Sequence, residues 1–329
     1  MAEENKVESG VVLPPADFTE QLQKEAQEMG VTLNEHQIKQ FYDYYELLIH
    51  WNTMVNLTAI TEQKEVVTKH FSDSLALVKA VPDLAEKEYT LIDVGTGAGF
   101  PGIPLKIAFP NLKVTLLDSL NKRINFLNEV IQALELEKIQ AVHGRAEDAA
   151  HDSVSRETFD FCVSRAVANL STLSEYCLPF VKVGGWFVPY KSGKLEEEMK
   201  TGKGAIRKLG GELEDVISFH LANEDERNLV RIHKTERTGK KYPRKAGTPS
   251  REPLKESTQK VDRERLYMEH VEYAVFLFYI GGVKQKCMTE YLSGKIVFRK
   301  PYQEYDRGNL EKQVEAMAEL EIIGKIYKI

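Results

Sequence analysis

The chain has 329 residues, 42% hydrophobic and 29% charged, with a formal charge of −6, a length that suits about two units with ample material for a core. Its longest apolar run, Tyr273–Ile280, falls far short of the ~18 residues a membrane span needs, and the acidic start Met1-Ala-Glu-Glu-Asn-Lys6 lacks the basic and apolar regions of a secretory signal. A cytoplasmic protein with no membrane partner is expected, and the charge excludes one that coats nucleic acid indiscriminately, though not an enzyme with a local basic face.

Taken in chain order, residues 1–16 read as a disordered N-terminus and residues 17–85 as a helical extension. Within that extension Ile38, Phe41, Tyr42, Tyr45, Leu48 and Ile49 recur at helical spacing, a stripe one face wide that fits a buried side better than a binding platform. From Tyr89 the pattern alternates strand and helix: Leu91–Val94, Ile103–Phe109, Lys113–Asp118, Lys122–Leu134, Ile139–His143, Phe159–Val163, Leu170–Val181, Gly185–Tyr190 and a helix through Leu209. Such alternation predicts an α/β fold, a mainly parallel, doubly wound sheet with helices on both faces. Glu212–Leu221 and Asn228–His233 follow each other without a helix and are expected to add an antiparallel edge, closing a catalytic domain over residues 86–236.

Residues 237–265 are polar and contain proline; from 234 to 265 there are eleven basic residues against five acidic ones. The stretch is either a solvated linker or an arm that touches phosphate. Residues 266–329, with an apolar segment at 273–283 and a helix near Leu310–Leu320, are expected to form a small appended unit without a chemical motif. The three cysteines, Cys162, Cys177 and Cys287, are too few and too far apart for a disulfide framework, and no C-x-x-C pair offers a zinc site. They read as small packed hydrophobes, and no metal is expected.

The stretch "LIDVGTGAGFPG" (91–102) fits two patterns at once. Gly97, Gly99 and Gly102 satisfy the dinucleotide fingerprint G-x-G-x-x-G, whereas Asp93 with Gly95, Gly97 and Gly99 satisfies an acid-x-G-x-G-x-G pattern of S-adenosylmethionine sites. Both need a tight turn after a strand and a backbone that a ligand can approach. A pyrophosphate would also want the N–H donors at the start of the next helix, and Pro101 and Pro104 remove two of them. S-adenosylmethionine, which carries no phosphate, suits the loop better. Asp93 is placed to balance its positive charge, and Asp118, 23 residues after Gly95, to accept ribose hydroxyls near the ~20-residue spacing of a strand-helix-strand unit. Asp118 fits either cofactor, and Asp93 could instead be a strand-end acid capping a turn.

After the fourth strand stands Val163-Ser164-Arg165-Ala166-Val167, neither an Asn-Pro-Pro-Tyr type amine-methylation motif nor a Pro-Cys nucleophile loop. An acceptor that needs no base and no nucleophile suits such a site. Guanine N7 is one, because it carries a lone pair and no proton. Catalysis would then rest on alignment, worth on the order of 7–11 kcal/mol, with an arginine on the purine O6/N7 edge. Arg165 is the first candidate and Arg145 the second; Arg165 could equally pair with a local acid, Asp93 or Glu147. On this basis Arg165→Ala should spare the fold and cut transfer, Gly97→Val should abolish cofactor binding through its side chain, and truncation after Pro253 should be harmless.

The segments "WNTMVNLTAIT" (51–61), "KHFSDSL" (69–75), "IDVGTGAGFPGIPLKI" (92–107), "LLDSLNKRINFL" (116–127), "GRAED" (144–148), "SRAVANLSTLSEYCLP" (164–179) and "KKYPRKAGTPSREP" (240–253), in this order, resemble the bacterial 16S rRNA guanine-N7 methyltransferase family, RsmG or GidB. The resemblance covers about residues 17–254. It implies a class I methyltransferase fold with a helical N-terminal extension, S-adenosyl-L-methionine as cofactor, and as partner 16S rRNA or the small ribosomal subunit, methylated at a guanine N7 in the decoding-region loop. It places the cofactor on Gly95, Phe100, Ala146, Glu147 and Arg165; the loop and strand argument adds Gly97, Gly99 and Asp118. His70, Arg145, Lys191 and the arm with Lys240, Lys241, Arg244 and Lys245 become candidates for RNA contact, although His70 could be a packed helix residue and Lys191 a solvated strand end. The tail beyond Leu254 departs from the family pattern. A methyltransferase for a small molecule or protein, and a nucleotide-binding regulator, are the competing functions, and a monomer is the default oligomeric state.

Overall fold

Short buried runs and amphipathic segments alternate in the structure as the periodicity predicts. The computed structural model describes residues 14–193 and 195–255, then the backbone of three strands at 274–280, 283–292 and 295–299. Most of the N-terminus expected to be disordered, and the expected helix near Leu310–Leu320, lie outside the described residues. The chain divides into two units, Met1–Glu256 and Ser257–Ile329.

The first unit opens with α1 (Ala16–Glu28) and α2 (Glu35–Asn52). Asn34 starts α2 with a reciprocal cap: its side chain accepts from Gln37 N and the Gln37 side chain accepts from Asn34 N, both at 2.9 Å. Then come α3 (Gln63–Val66), a π-helical turn (Val67–Ser72), α4 (Asp73–Leu75) and α5 (Leu77–Ala80). The alternating part consists of β1 (Thr90–Val94), α6 (Gly102–Ala108), β2 (Lys113–Asp118), α7 (Asn121–Ala133), β3 (Ile139–His143), α8 (Ala146–Ala149), β4 (Phe159–Arg165), α9 (Leu170–Cys177), β5 (Val181–Ser192), α10 (Leu195–Lys208), β6 (Gly211–His220) and β7 (Glu226–Lys234), with α11 (Thr248–Arg251) at the end.

The sheet order is β3-β2-β1-β4-β5-β7-β6. β1 to β5 pair in parallel, and β7 runs antiparallel to both β5 and β6. Alternate residues of each strand feed two apolar layers: Leu91, Val114, Leu116 and Val163 pack with α2, α6 and α7, while Ile92, Leu117, Cys162 and Phe187 pack with α9 and α10.

The helical extension is fastened to this sheet by backbone carbonyls that helix ends leave unpaired. Gln37 of α2 donates to the carbonyls of Ile107 and Ala108 at the end of α6, and Gln40 to that of Leu134 at the end of α7. Buried Glu25 of α1 accepts from Thr68 and Ser72, both at 2.8 Å, and so holds the π turn. Among the α2 residues Tyr44, absent from the predicted stripe, is fully buried, while Tyr42, Tyr45 and Ile49 are half-buried.

Residues 235–255, which charge alone offers as an arm or a linker, are folded onto the sheet domain. Arg156 donates to the carbonyls of Tyr242 and Thr238, Thr172 to that of Pro249 and Ser171 to that of Leu254. Tyr242 and Leu254 are buried in the α9/α10 layer. The second unit contains three antiparallel strands, β8 (Ala274–Ile280), β9 (Val283–Leu292) and β10 (Lys295–Arg299), in the order β10-β9-β8; the expected apolar segment at 273–283 supplies β8. Among the described residues no helix is long and apolar enough to cross a membrane.

Candidate active site

The carboxyl ends of parallel strands leave one edge of the sheet open to a ligand, and here β1, β2, β4 and β5 end on a common cleft of about 850 Å³. Its walls include Gly95, Gly97, Phe100, Asp118, Arg165, Lys191 and His70, seven of the residues the sequence singles out. Asp73, Tyr190, Glu198 and Arg227 are also among its walls.

The glycine turn is built on backbone conformations that side chains resist. Gly95, Gly97 and Gly99 have φ of 71°, 63° and 98°. Nothing lies within 4 Å of where a Cβ of Gly97 would stand, so that face opens to the cleft. Gly99 points the other way: a Cβ there would come 2.5 Å from Ile103 Cδ1 and 2.8 Å from the Tyr44 hydroxyl. Gly99 is therefore a packing residue of the loop, outside the cleft wall. Gly102, source of the dinucleotide match, packs so closely that a Cβ would strike Leu116. The Tyr44 hydroxyl donates to the Ala98 carbonyl and pins the loop from α2.

Asp93 is fully buried beneath this loop and does not line the cleft. Its Oδ2 accepts from Thr96 Oγ1 at 2.7 Å and from Gly102 N at 2.9 Å, and burial pushes its pKa up to about 6. The expectation that it faces the cofactor's charge is corrected: it braces the turn, and the acid that meets the glycine loop in the cleft is Asp118. There Oδ2 accepts from Gly97 N at 2.9 Å and Arg123 Nη1 at 3.2 Å, and Oδ1 from Leu120 N at 2.9 Å.

Arg165 ends β4. Its Nη1 donates to Asp73 Oδ2 at 2.6 Å and to the Lys69 carbonyl at 3.1 Å, while Nη2 lies 3.3 Å from His70 Nδ1. The acid it pairs with is thus Asp73, 92 residues earlier in the chain, and neither Asp93 nor Glu147. The π turn carries Lys69 and His70, with Asp73 directly after it, and such turns recur at functional sites. His70 stacks on Phe100 with ring centroids 4.4 Å apart, and Arg165 Cζ lies 5.2 Å from the Phe100 centroid. Burial and the Arg165 charge together drive the His70 pKa down to about 3, so the ring is neutral.

Lys191 is 9% exposed; its Nζ donates to the Ala168 carbonyl at 2.7 Å and to Glu198 Oε2 at 2.6 Å. It fixes the cleft rim instead of standing free in solvent. Arg145 is an exposed residue just before α8 and lies outside the cleft wall. Ala146 and Glu147 open α8 two residues after Gly144, whose N–H donates to the Asp118 carbonyl. They flank the Asp118 end without lining the cleft, and Glu147 Oε1 accepts from Gly247 N at 2.8 Å. Arg244 binds Glu175, which is fully buried, with Nη2 2.8 Å from Oε2. That grip gives Arg244 a structural partner within the fold, while Lys240, Lys241 and Lys245 are exposed.

The sequence reasoning missed Asp73 and Tyr44. Asp73 stands inside the quoted stretch "KHFSDSL", and Tyr44 stands three residues after Phe41 and four before Leu48, on the same helical face.

The sheet order with one antiparallel strand, the glycine turn after β1 and the acid ending β2 define a Rossmann-like, class I S-adenosylmethionine-dependent methyltransferase. The chain also matches the family described as rRNA small subunit methyltransferase G over residues 37–230. It is 56% identical over 227 residues to "Ribosomal RNA small subunit methyltransferase G" of Lachnoclostridium phytofermentans, covering 69% of this chain and 93% of that one. The protein of the same name from Leuconostoc mesenteroides is 50% identical over 238 residues, 72% of this chain and 98% of that one. The chain belongs to the rRNA small subunit methyltransferase G family.

Proposed function

We infer that this enzyme transfers a methyl group from S-adenosylmethionine to N7 of a guanine in 16S rRNA, in the naked RNA or in the small ribosomal subunit. The observation that carries the reading is what stands at the end of β4. Cys162 is fully buried with its thiol pushed well up by burial, and His70 is held neutral far below its usual pKa of 6.5. The cleft carboxylates are engaged, Asp73 by Arg165, Asp118 by Gly97 N and Arg123, and Glu198 by Lys191, so an acceptor with a lone pair and no proton to lose, as guanine N7 is, suits a cleft whose fixed cation is Arg165.

The cleft suits the cofactor: Gly97 presents an open face, Gly95 brings its backbone to the cleft beneath the Val167 side chain, and the Asp118 carboxylate stands beside them. When bound, the cofactor supplies an electrophilic methyl on a sulfonium. Phe100 and His70 wall off the cleft with stacked rings and limit the water beside it, and Arg165 directs N–H donors at the guanine O6 edge to set N7 in line. The exposed Lys240, Lys241 and Lys245 are our candidates for phosphate contacts.

Transfer of labelled methyl to small-subunit particles from cells lacking the modification, repeated across a salt series, tests this. Transfer whose affinity falls steeply with salt is expected of an RNA substrate. No transfer to RNA while S-adenosylhomocysteine still raises the melting temperature contradicts it.

A further inference from the structure

A guanidinium has five N–H groups in a rigid fork and accepts nothing. Arg165 spends both Nη1 hydrogens on Asp73 and the Lys69 carbonyl and one Nη2 hydrogen on His70. The Nε–H and the second Nη2–H have no partner among the described residues. These two donors remain for a ligand in the cleft that Arg165 lines.

What aims them is a chain of contacts leading away from the cleft. Because a guanidinium N–H only donates, the Arg165 contact is a hydrogen bond in the tautomer whose Nδ1 accepts and whose Nε2–H donates to Thr58 Oγ1 at 2.9 Å. The Lys69 carbonyl, which accepts from Arg165 Nη1, lies 3.2 Å from the same Nδ1 and would accept its proton in the other tautomer, so the role proposed below for His70 includes the first tautomer. Thr58 Oγ1 in turn accepts from Ile60 N at 3.0 Å, so the imidazole is held at both nitrogens and on its face by Phe100. Asp73 holds the opposite side, and its Oδ1 lies 3.6 Å from Arg227 Nε of β7.

We propose that His70 is a positioning residue that contacts no RNA: as a hydrogen-bond acceptor fixed by Thr58 and Phe100, it orients the Arg165 guanidinium so that its two remaining donors face the acceptor base. This rests on the activity inferred above. A purely structural His70 would be replaced best by a ring of similar volume, whereas a positioning His70 needs an acceptor where Nδ1 stands.

The full chain with His70→Phe and with His70→Asn separates these. Phe keeps the stack and loses the acceptor; Asn loses the ring and keeps an oxygen near the Nδ1 place. Expected for His70→Phe are an unchanged melting temperature, an unchanged affinity for S-adenosylhomocysteine and an unchanged KM for RNA, with kcat down by about tenfold, inside the ~100-fold that misplacement of a catalytic group can cost. His70→Asn should melt lower yet keep a higher kcat than His70→Phe. Wild-type kcat in His70→Phe, or kcat values that follow the melting temperatures, overturns the proposal. An unsubstituted chain inert on RNA refutes the inferred activity as well, whereas failure of the positioning role alone shows only in the order of the two variants.

Discussion

The glycine turn at 95–102 and the basic segment at 240–253 carry strong sequence signals of opposite kinds. In the turn, function resides in backbone: positive φ at Gly95, Gly97 and Gly99, and N–H groups aimed at buried acids. In the segment, one charged side chain that looks free is anchored, Arg244 on Glu175, while its neighbours Lys240, Lys241 and Lys245 stay exposed. A glycine's meaning is local and can be read in place, because glycine adopts such a conformation far more readily than other residues. A cation's meaning depends on a partner far along the chain, here 69 residues away.

The largest expected effect breaks the turn. Gly99→Val would drive a branched side chain into Ile103 and Tyr44 at a positive φ, and thermal unfolding should show no cooperative transition. Gly97→Val places its Cβ where nothing lies within 4 Å, so its main cost to the fold is backbone strain, of order 1–3 kcal/mol. It should fold and lose S-adenosylhomocysteine binding, measured by calorimetry.

Next is Arg165→Ala, which would leave Asp73, 4% exposed, with Arg227 Nε at 3.6 Å as its remaining cation. Breaking a buried ion pair costs up to about 3–5 kcal/mol, less where a second cation stays, so both the melting temperature and transfer should fall. The structure thereby revises the expectation that this substitution spares the fold. Arg244→Ala strips buried Glu175 of its guanidinium but leaves it the backbone N–H of residue 244 at 2.7 Å, so chemical denaturation should register a loss of about 2–3 kcal/mol. The triple change of Lys240, Lys241 and Lys245 to Ala should shift stability by only about 0.5 kcal/mol while flattening the salt dependence of RNA binding.

Two smaller effects sharpen the contrast. Truncation after Glu256 should leave transfer unchanged, since the first unit ends there; truncation after Pro253 removes Leu254, buried and bonded through its carbonyl to Ser171, and should lower the melting temperature. His70 stays neutral in the fold down to about pH 3, whereas the unfolded chain takes its proton near 6.5. Stability from this group is therefore lost as pH drops below about 6.5, and His70→Phe should lose less stability than the unsubstituted chain between pH 6.5 and 5.

Much of the fold was legible because periodicity is a local property. The sheet strands were located to within a few residues; of the terminal hairpin, read as an antiparallel edge, the antiparallel strand β7 lies inside the sheet and the edge strand β6 runs with β5. The cofactor turn was legible for the same reason. The Asp93 role was not: a strand-end acid looks the same whether it faces a ligand or braces a turn, and only burial separates the two. Nor was the Arg165 partner, because Asp73 reaches β4 only through the docking of the helical extension by Gln37, Gln40 and Glu25. The folding of residues 235–255 onto the domain was hidden likewise, since its hydrogen bonds run from side chains on β4's flanks and α9 to backbone carbonyls that composition does not mark.

The most direct measurement is nucleoside analysis of 16S rRNA after incubation with the full chain and isotope-labelled S-adenosylmethionine. Label is expected in 7-methylguanosine, lost in Arg165→Ala beyond what its reduced folded fraction explains. Label in a different nucleoside, or in no nucleoside while the cofactor binds, would contradict it.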